Sequence, residues 1–392
     1  MYRNPRASSS HNGLAIFVLA CCLLFLTNSI PVVAADCCVY FGTRTNAKSQ
    51  GIYVCRLNTA TGTLTAPDLA TASADPAFLA VHPNHRFLYA VNESVGFAGT
   101  PNGAVSAFAI DATTGKLTLL NQQSSGGRGP CHLAVDNSGR SVVVANYAGG
   151  SVAALAIKTD GSLGAATTFI QHHGSSVNPK RQEAPHAHCV GFDPANHRAL
   201  CADLGLDQLI VYQFEPAKAV LVPSDPPSAS LPPGAGPRHF AIHPDGRHIY
   251  VINELNSTIT VFEYDAAHGA LQSQQTVPTL PATFTDVNTP AEIAVHPSGK
   301  FLYGSNRGHD SIAVYAVDET TGKLSLIEHQ SSLGKTPRSF GIDPTGNFLL
   351  AANQDSNTVV IFRIDLKTGR LTPTGQSVEV PTPVCVIFLS SP

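Results

Sequence analysis

The stretch "HHGSSVNPKRQEAPHAH", His172 to His188, gathers four histidines, Lys180, Arg181 and Glu183 in a chain of which only 13% is charged. Two chemistries fit such residues. His186 and His188 are two apart, so in a strand both imidazoles face one side, a metal-ligand spacing for which His173 could add a third donor. Alternatively, an imidazole near guanidiniums and a carboxylate can move protons at a polarised substrate. A polar loop that happens to be rich in histidine is the plain third reading. The elements that position these residues have to decide.

Those elements repeat. "DPAFLAVHPNHRFLYAVNES" (from Asp75), "GPCHLAVDNSGRSVVVANYA" (from Gly129) and "APHAHCVGFDPANHRALCADLG" (from Ala184) share one pattern. It returns in "GPRHFAIHPDGRHIYVINEL" (from Gly236), "TPAEIAVHPSGKFLYGSNRG" (from Thr289) and "TPRSFGIDPTGNFLLAANQD" (from Thr336). Each copy reads as a strand, a tight turn at Pro-x-Gly, and a second strand ending in Asn or Asp. A third strand and a "TTGKL"-type turn follow. A repeat of about 50 residues made of short strands cannot bury both faces of one sheet, so the units must stack, and radial stacking gives a propeller. Two fragments complete a seventh unit: "CVYFGTRT" with "GIYVCRL" near the start, and "TPVCVIF" (Thr382 to Phe388) at the end. The expected fold is all-β, a seven-bladed β-propeller spanning residues 36–392 as one domain, its ring closed by the N- and C-terminal strands.

In a propeller the start of each innermost strand and the loop after the second strand lie near the channel mouth. After the Pro of each copy, or Ala187 where the third copy replaces it, come Ala77, Cys131, His188, Arg238, Ala291 and Arg338; after the second-strand Asn or Asp come Glu93, Tyr147, Leu204, Glu254, Arg307 and Gln354. His188, Arg238, Glu254, Arg307 and Arg338 fall in successive blades and should share one side of the mouth. Three guanidiniums around a carboxylate and an imidazole suit an anionic small molecule, with Glu254 or His188 as general base. The same arginines could equally be ion pairs that stabilise the channel wall. His85, His243 and His296 belong to the repeated turn, and Asn92, Asn146, Asn253, Asn306 and Asn353 to repeated turn caps.

Net charge is −3, which argues against a nucleic-acid or anionic membrane-surface partner, since binding either needs a cationic excess on the protein. Arg3 and Arg6, the apolar run Gly13 to Leu26 and the small residues Val33-Ala34-Ala35 read as an export signal cleaved before Asp36, with no membrane anchor in the mature form. A lipoprotein ending "VLAC" at Cys21 is the lesser alternative. Seven cysteines remain after cleavage and no C-x-x-C pair exists. Cys189 and Cys201, on consecutive strands, could pair; buried free thiols fit as well.

The loop "HGSSVNPKRQEAPHAH", the "DLGLD" at Asp203 to Asp207 and "GPRHFAIHPDGRHIYVINEL" resemble the hallmarks of the bacterial 6-phosphogluconolactonase family with a seven-bladed propeller fold. The resemblance covers nearly the whole mature chain and extends to fungal carboxy-muconate cyclases. It implies a carboxylic ester hydrolase acting on a small anionic or sugar-derived lactone, with a catalytic set His188, Arg238, Glu254 and Arg307. His173, Arg181, Gln182 and His186 would line the same rim beside Arg338, with His186 a possible substitute for His188. It implies no cofactor and no obligatory metal, and a monomer is expected. A lactonising cyclase, and a non-enzymatic extracellular binding propeller of the YVTN-repeat kind suggested by "YVINELNSTITVFEYD", are the alternatives. Export sits uneasily with a phosphorylated cytosolic sugar, so an unphosphorylated lactone is also expected as a candidate.

Overall fold

The computed structural model describes residues 36–45, 48–94 and 96–389; the expected export segment, residues 1–35 with Cys21, lies outside the described residues. Seven antiparallel sheets of four strands each stand in a ring. Six use four consecutive strands. The remaining one, blade one, joins the C-terminal strand Pro383–Leu389 to Asp36–Thr43, Gly51–Asn58 and Asp68–Ala72. Blades two to seven follow in chain order. The two fragments at the chain ends thus meet in one sheet, with Val39 opposite Phe388 and Phe41 opposite Val386. Pairing the ends completes blade one and ties the ring shut, so that only the short innermost and outermost strands of each blade remain as edges.

The core lies in the joints between blades. Val39 and Phe41 of blade one pack with Leu350 and Ile361 of blade seven. Tyr89 and Val105 of blade two pack with Val144 and Leu155 of blade three, and Leu200 and Val211 of blade four with Ile249 and Val251 of blade five. Near-continuous apolar runs in the second strands, such as Phe87–Asn92, Ser141–Asn146 and Phe348–Asn353, give every sheet two greasy faces, and only a neighbour on each side covers both. Each large side chain so buried is worth about 1.5–3 kcal/mol.

Polar joints add register. His82, His243 and His296 point Nε2 at the carbonyls of Gly139, Gly299 and Gly346 in the next blade, at 2.8, 2.9 and 2.9 Å. The joint histidine of the first copy is therefore His82. His85, grouped with His243 and His296 as a turn residue, does lie in the turn, exposed and in the left-handed position (φ +61°) that Gly246, Gly299 and Gly346 fill in other copies. Tyr89, Tyr250 and Tyr303 donate their hydroxyls to Gly161, Gly322 and Gly369 of the following blade.

Candidate active site

Every innermost strand breaks register at one place. Pro237 pairs with Asn253 and His239 with Ile252, which leaves Arg238 as an extra residue. The same bulge isolates Ala77, Cys131, His188, Arg338 and, in blade one, Val384. A bulge re-aims its side chain, and this is why the residue after each proline, and His188 after Ala187, turns to the channel. The second-strand asparagines fix the other set. Asn146, Asn306 and Asn353 donate Nδ2 to the carbonyls of Ser125, Thr279 and Ser332 on the incoming loops. The residue after each asparagine is thereby held at the mouth.

These two sets enclose a cavity of about 230 Å³ lined by Glu93, Cys131, Tyr147, Arg181, His188, Glu254, Arg307 and Arg338. A narrower space bordered by Arg238, His239, Phe78 and Val384 shares Glu93, Cys131, His188 and Arg338 with it.

Glu254 is the hub. Its Oε2 accepts from Arg307 at 2.8 Å and from Arg238 Nε at 3.1 Å, and its Oε1 accepts from Arg181 at 2.5 Å. Burial alone would raise this carboxyl, but Arg307, Arg238 and Arg181 outweigh it and bring the pKa from 4.5 to about 2. Glu254 is therefore a firmly ionised anchor and a weak base. The guanidiniums are held from behind as well: Arg238 donates to Ala291 O at 2.6 Å and Arg307 Nε to Thr289 O at 2.8 Å.

His188 has the opposite character. Burial, reinforced by the cations Arg238 and Arg338 and by His239, holds its pKa well below 6.5, so the imidazole is neutral at pH 7. Its Nδ1 lies 3.9 Å from Cys131 Sγ, and Nε2 has no hydrogen-bond partner among the described residues. Burial keeps the Cys131 thiol protonated, which makes it a wall and not a nucleophile. A neutral imidazole with a free nitrogen in a cationic cavity can accept a proton from water.

Arg338 stands apart from the other guanidiniums. Burial first, then Arg238, Arg307 and Arg44, push it down to about 9, and no hydrogen bond or ion pair engages it among the described residues. Glu93, the nearest compensating carboxylate, is taken by Arg44 at 2.5 Å. Five arginines and two glutamates leave a cationic surplus centred on Arg338.

Of the rim residues expected from the sequence, His188, Arg238, Glu254, Arg307, Arg338 and Arg181 come together. His186 stacks on Tyr147 with ring centroids 4.6 Å apart, and its Nδ1 lies 3.1 Å from Tyr147 O, so it braces the wall. Gln182 is fully buried and spends its amide on Leu204 O and Asn178 N. His173 is exposed, away from the cavity lining. It does not join His186 and His188 in a donor cluster, so the three-histidine metal set is not assembled. His132, Cys189 and His239 do converge beneath the site. There His132 Nδ1 accepts the Val190 N–H at 3.3 Å, which places the ring proton on Nε2, toward Cys189 Sγ at 3.6 Å. That arrangement is a neutral hydrogen-bonded network that occupies the donors a cation would need. All seven cysteines from Cys37 to Cys385 are buried free thiols, so Cys189 and Cys201 do not pair. Glu93, Tyr147 and Cys131 occupy the same repeat positions as the residues singled out from the sequence, in blades two and three. Arg44, on the split blade, occupies the position of Glu254 too, its N–H reaching Thr382 O as that of Glu254 reaches Gly236 O, but the residue before it is Thr43 where the other copies have Asn or Asp.

The profile of the family "Lactonase, 7-bladed beta-propeller" matches residues 38–388. The chain is 39% identical over 350 residues to the 6-phosphogluconolactonase of Bacillus subtilis, covering 89% of this chain and 97% of that protein. It is 33% identical over 308 residues to the 6-phosphogluconolactonase of Formosa agariphila, covering 76% and 84%. The structure of the periplasmic gluconolactonase of Pseudomonas aeruginosa superposes with a TM-score of 0.86 at 33% identity, over 91% of this chain and all (100%) of that one. The match spans all seven blades, and the chain belongs to the seven-bladed β-propeller lactonase family.

Proposed function

We propose that the protein is an exported lactonase that hydrolyses a small sugar-derived lactone by general-base activation of water. The observation that carries this reading is the pairing of a neutral His188, its Nε2 open, with a guanidinium cluster in one cavity. Arg307 polarises the lactone carbonyl and stabilises the tetrahedral oxyanion, a contribution of about 3–4 kcal/mol for a well-aimed donor, while the unengaged Arg338 docks a substrate anion. His188 takes the proton of the attacking water and returns it to the ring oxygen as the ester bond breaks. Glu254 keeps Arg307, Arg238 and Arg181 in place and does not act as the base. The names of the Bacillus subtilis and Pseudomonas aeruginosa relatives support the reaction class, and the second supports export.

The test uses the chain from Asp36 onward with 6-phosphogluconolactone and unphosphorylated gluconolactone, spontaneous hydrolysis subtracted. Catalysed hydrolysis lost in folded His188→Ala establishes the reading, and the preferred lactone assigns the substrate. Absence of turnover above background on both rejects it and directs attention to cyclisation of a dicarboxylic acid, which the same arginines would accommodate.

A further inference from the structure

We infer that Asp207 is the positioning residue that locks the inserted loop to blade five and so sets the distance between Arg181 and Glu254. Its side chain touches no cavity surface. The residue is 3% exposed and takes the left-handed turn position, φ +54°, that Ser257, Asp310 and Asn357 fill in blades five, six and seven, so what sets it apart is what its carboxylate reaches.

The carboxylate faces two ways. Oδ2 accepts the Ser176 hydroxyl of the loop at 2.6 Å and the Gly234 N–H at 2.7 Å. Oδ1 accepts the Gly236 N–H at 2.7 Å. On the loop side, Ser176 N donates to Gln182 O at 2.9 Å, and Gln182 directly follows Arg181. On the blade-five side, Gly236 lies two residues before Arg238, and its carbonyl accepts the Glu254 N–H at 2.7 Å. One carboxylate therefore ties together the backbones that deliver Arg181, Arg238 and Glu254. Asp203 closes the loop at its ends: Oδ2 meets His172 Nδ1 at 2.6 Å and Oδ1 accepts the His186 N–H at 2.7 Å. Asp203 shapes the loop, whereas Asp207, away from the cavity, is the side chain that ties it to blade five behind the Arg181–Glu254 contact. Both aspartates of "DLGLD" thus have a task that no cavity contact reveals.

The inference rests on the reading of this cavity as the active site, so its test includes a readout that needs no substrate. Lys180 is exposed and Arg181 half-buried, so trypsin can report on the loop through the bonds after them, followed by mass spectrometry. In Asp207→Asn, and in the milder Ser176→Ala, cleavage at these bonds should accelerate at least about tenfold while the circular dichroism of the sheets is unchanged. Lactone kcat/KM should fall on the order of a hundredfold in Asp207→Asn, because small displacements of positioning groups cost that much. Ser176→Ala should fall less, and should cost nothing further when added to Arg181→Met, since its effect passes through Arg181. Unchanged cleavage in both folded variants overturns the inference. Faster cleavage with unchanged kcat/KM, or full additivity of Ser176→Ala with Arg181→Met, overturns it equally. If the wild type hydrolyses no lactone, the functional reading fails while the cleavage result still decides whether Asp207 holds the loop.

Discussion

Arg181 and Glu254, 73 residues apart in the chain, meet at 2.5 Å, and that contact fastens the loop inserted before blade four to blade five. Without it the Glu254 carboxylate would answer only to the two guanidiniums of blades five and six. With it, three cations surround one buried anion, and each remains aimed at the cavity. The cluster is costly to desolvate and strongly destabilising to break in part, the pattern expected of a buried ion network kept for geometry.

Stability should carry the signature of Glu254. The folded-state pKa, about 2, lies below the ordinary value of 4.5 that the unfolded chain approaches. The sign follows directly: the ionised cluster stabilises the fold fully above about pH 4.5, and that contribution is lost as pH falls toward 2. The shift is worth roughly 3 kcal/mol at neutral pH. Urea unfolding of wild type and Glu254→Gln between pH 7 and pH 3 should show a difference that shrinks as the solution is acidified. A difference that is constant across that range would show that Glu254 is not ionised by its arginines.

The pH dependence of turnover should separate the buried His188 from an exposed histidine as the base, and substitution of His188 should separate it from Glu254. Burial and neighbouring cations keep His188 neutral to well below pH 6.5, so kcat/KM should stay level from pH 7.5 through 6.5 and decline only under more acidic conditions. His188→Gln should lower kcat by roughly 10²–10⁴ while its unfolding midpoint changes little. An acid limb centred at or above pH 6.5 in the wild type would argue for a solvent-exposed histidine elsewhere.

The ring was legible because each unit announces itself twice, by a turn opening on His or Asp that is a full Pro-x-Gly in blades five to seven, and by a terminal Asn or Asp, and the orphan fragments at the chain ends could only complete the set. The site was legible to the same depth. Arg238 and Glu254 could be read as rim residues because bulge and asparagine recur in register, although the bulge itself has no sequence mark beyond the preceding proline. Glu93, Tyr147 and Cys131 shared those positions but lie in blades two and three, and a linear reading of neighbouring blades overlooks that a closed ring brings its far side to the same cavity. Gln182 and His173 were beyond reach for another reason. A loop without periodicity carries no register to say which side chain faces in, and Gln182 turned inward to satisfy the loop's own amides.

The joints between blades make a prediction at glycine. Gly322 has φ +66°, and a Cβ there would collide with the His248 ring of the preceding blade. Gly375 has φ +81° with nothing within 4 Å of the added carbon. Both alanine variants incur the backbone strain, about 1 kcal/mol, but only Gly322→Ala must also displace a packed ring, for a further ~1–3 kcal/mol. Chemical denaturation should therefore rank Gly322→Ala clearly below Gly375→Ala. Equal destabilisation would mean that the turn yields to its neighbour and that the joints contribute little to cohesion.

Arg338 should govern which lactones are held. Its guanidinium is the one in the cavity that Glu254 does not engage, and Glu93 is already committed to Arg44. A charge-assisted hydrogen bond to a substrate anion is worth about 1.5–3 kcal/mol, so Arg338→Met should raise KM for a phosphorylated lactone roughly ten- to a hundredfold. Arg338→Lys should recover part of the loss, because the charge is kept while the planar fork is not. The uncharged gluconolactone, which has no anion to offer, should show little change in KM with either variant. Steady-state kinetics on the two lactones decide the matter. Parallel losses on both would move Arg338 from anion docking to carbonyl polarisation, and a fall in kcat at constant KM would do the same, because an interaction made only in the transition state is felt by every substrate of the site.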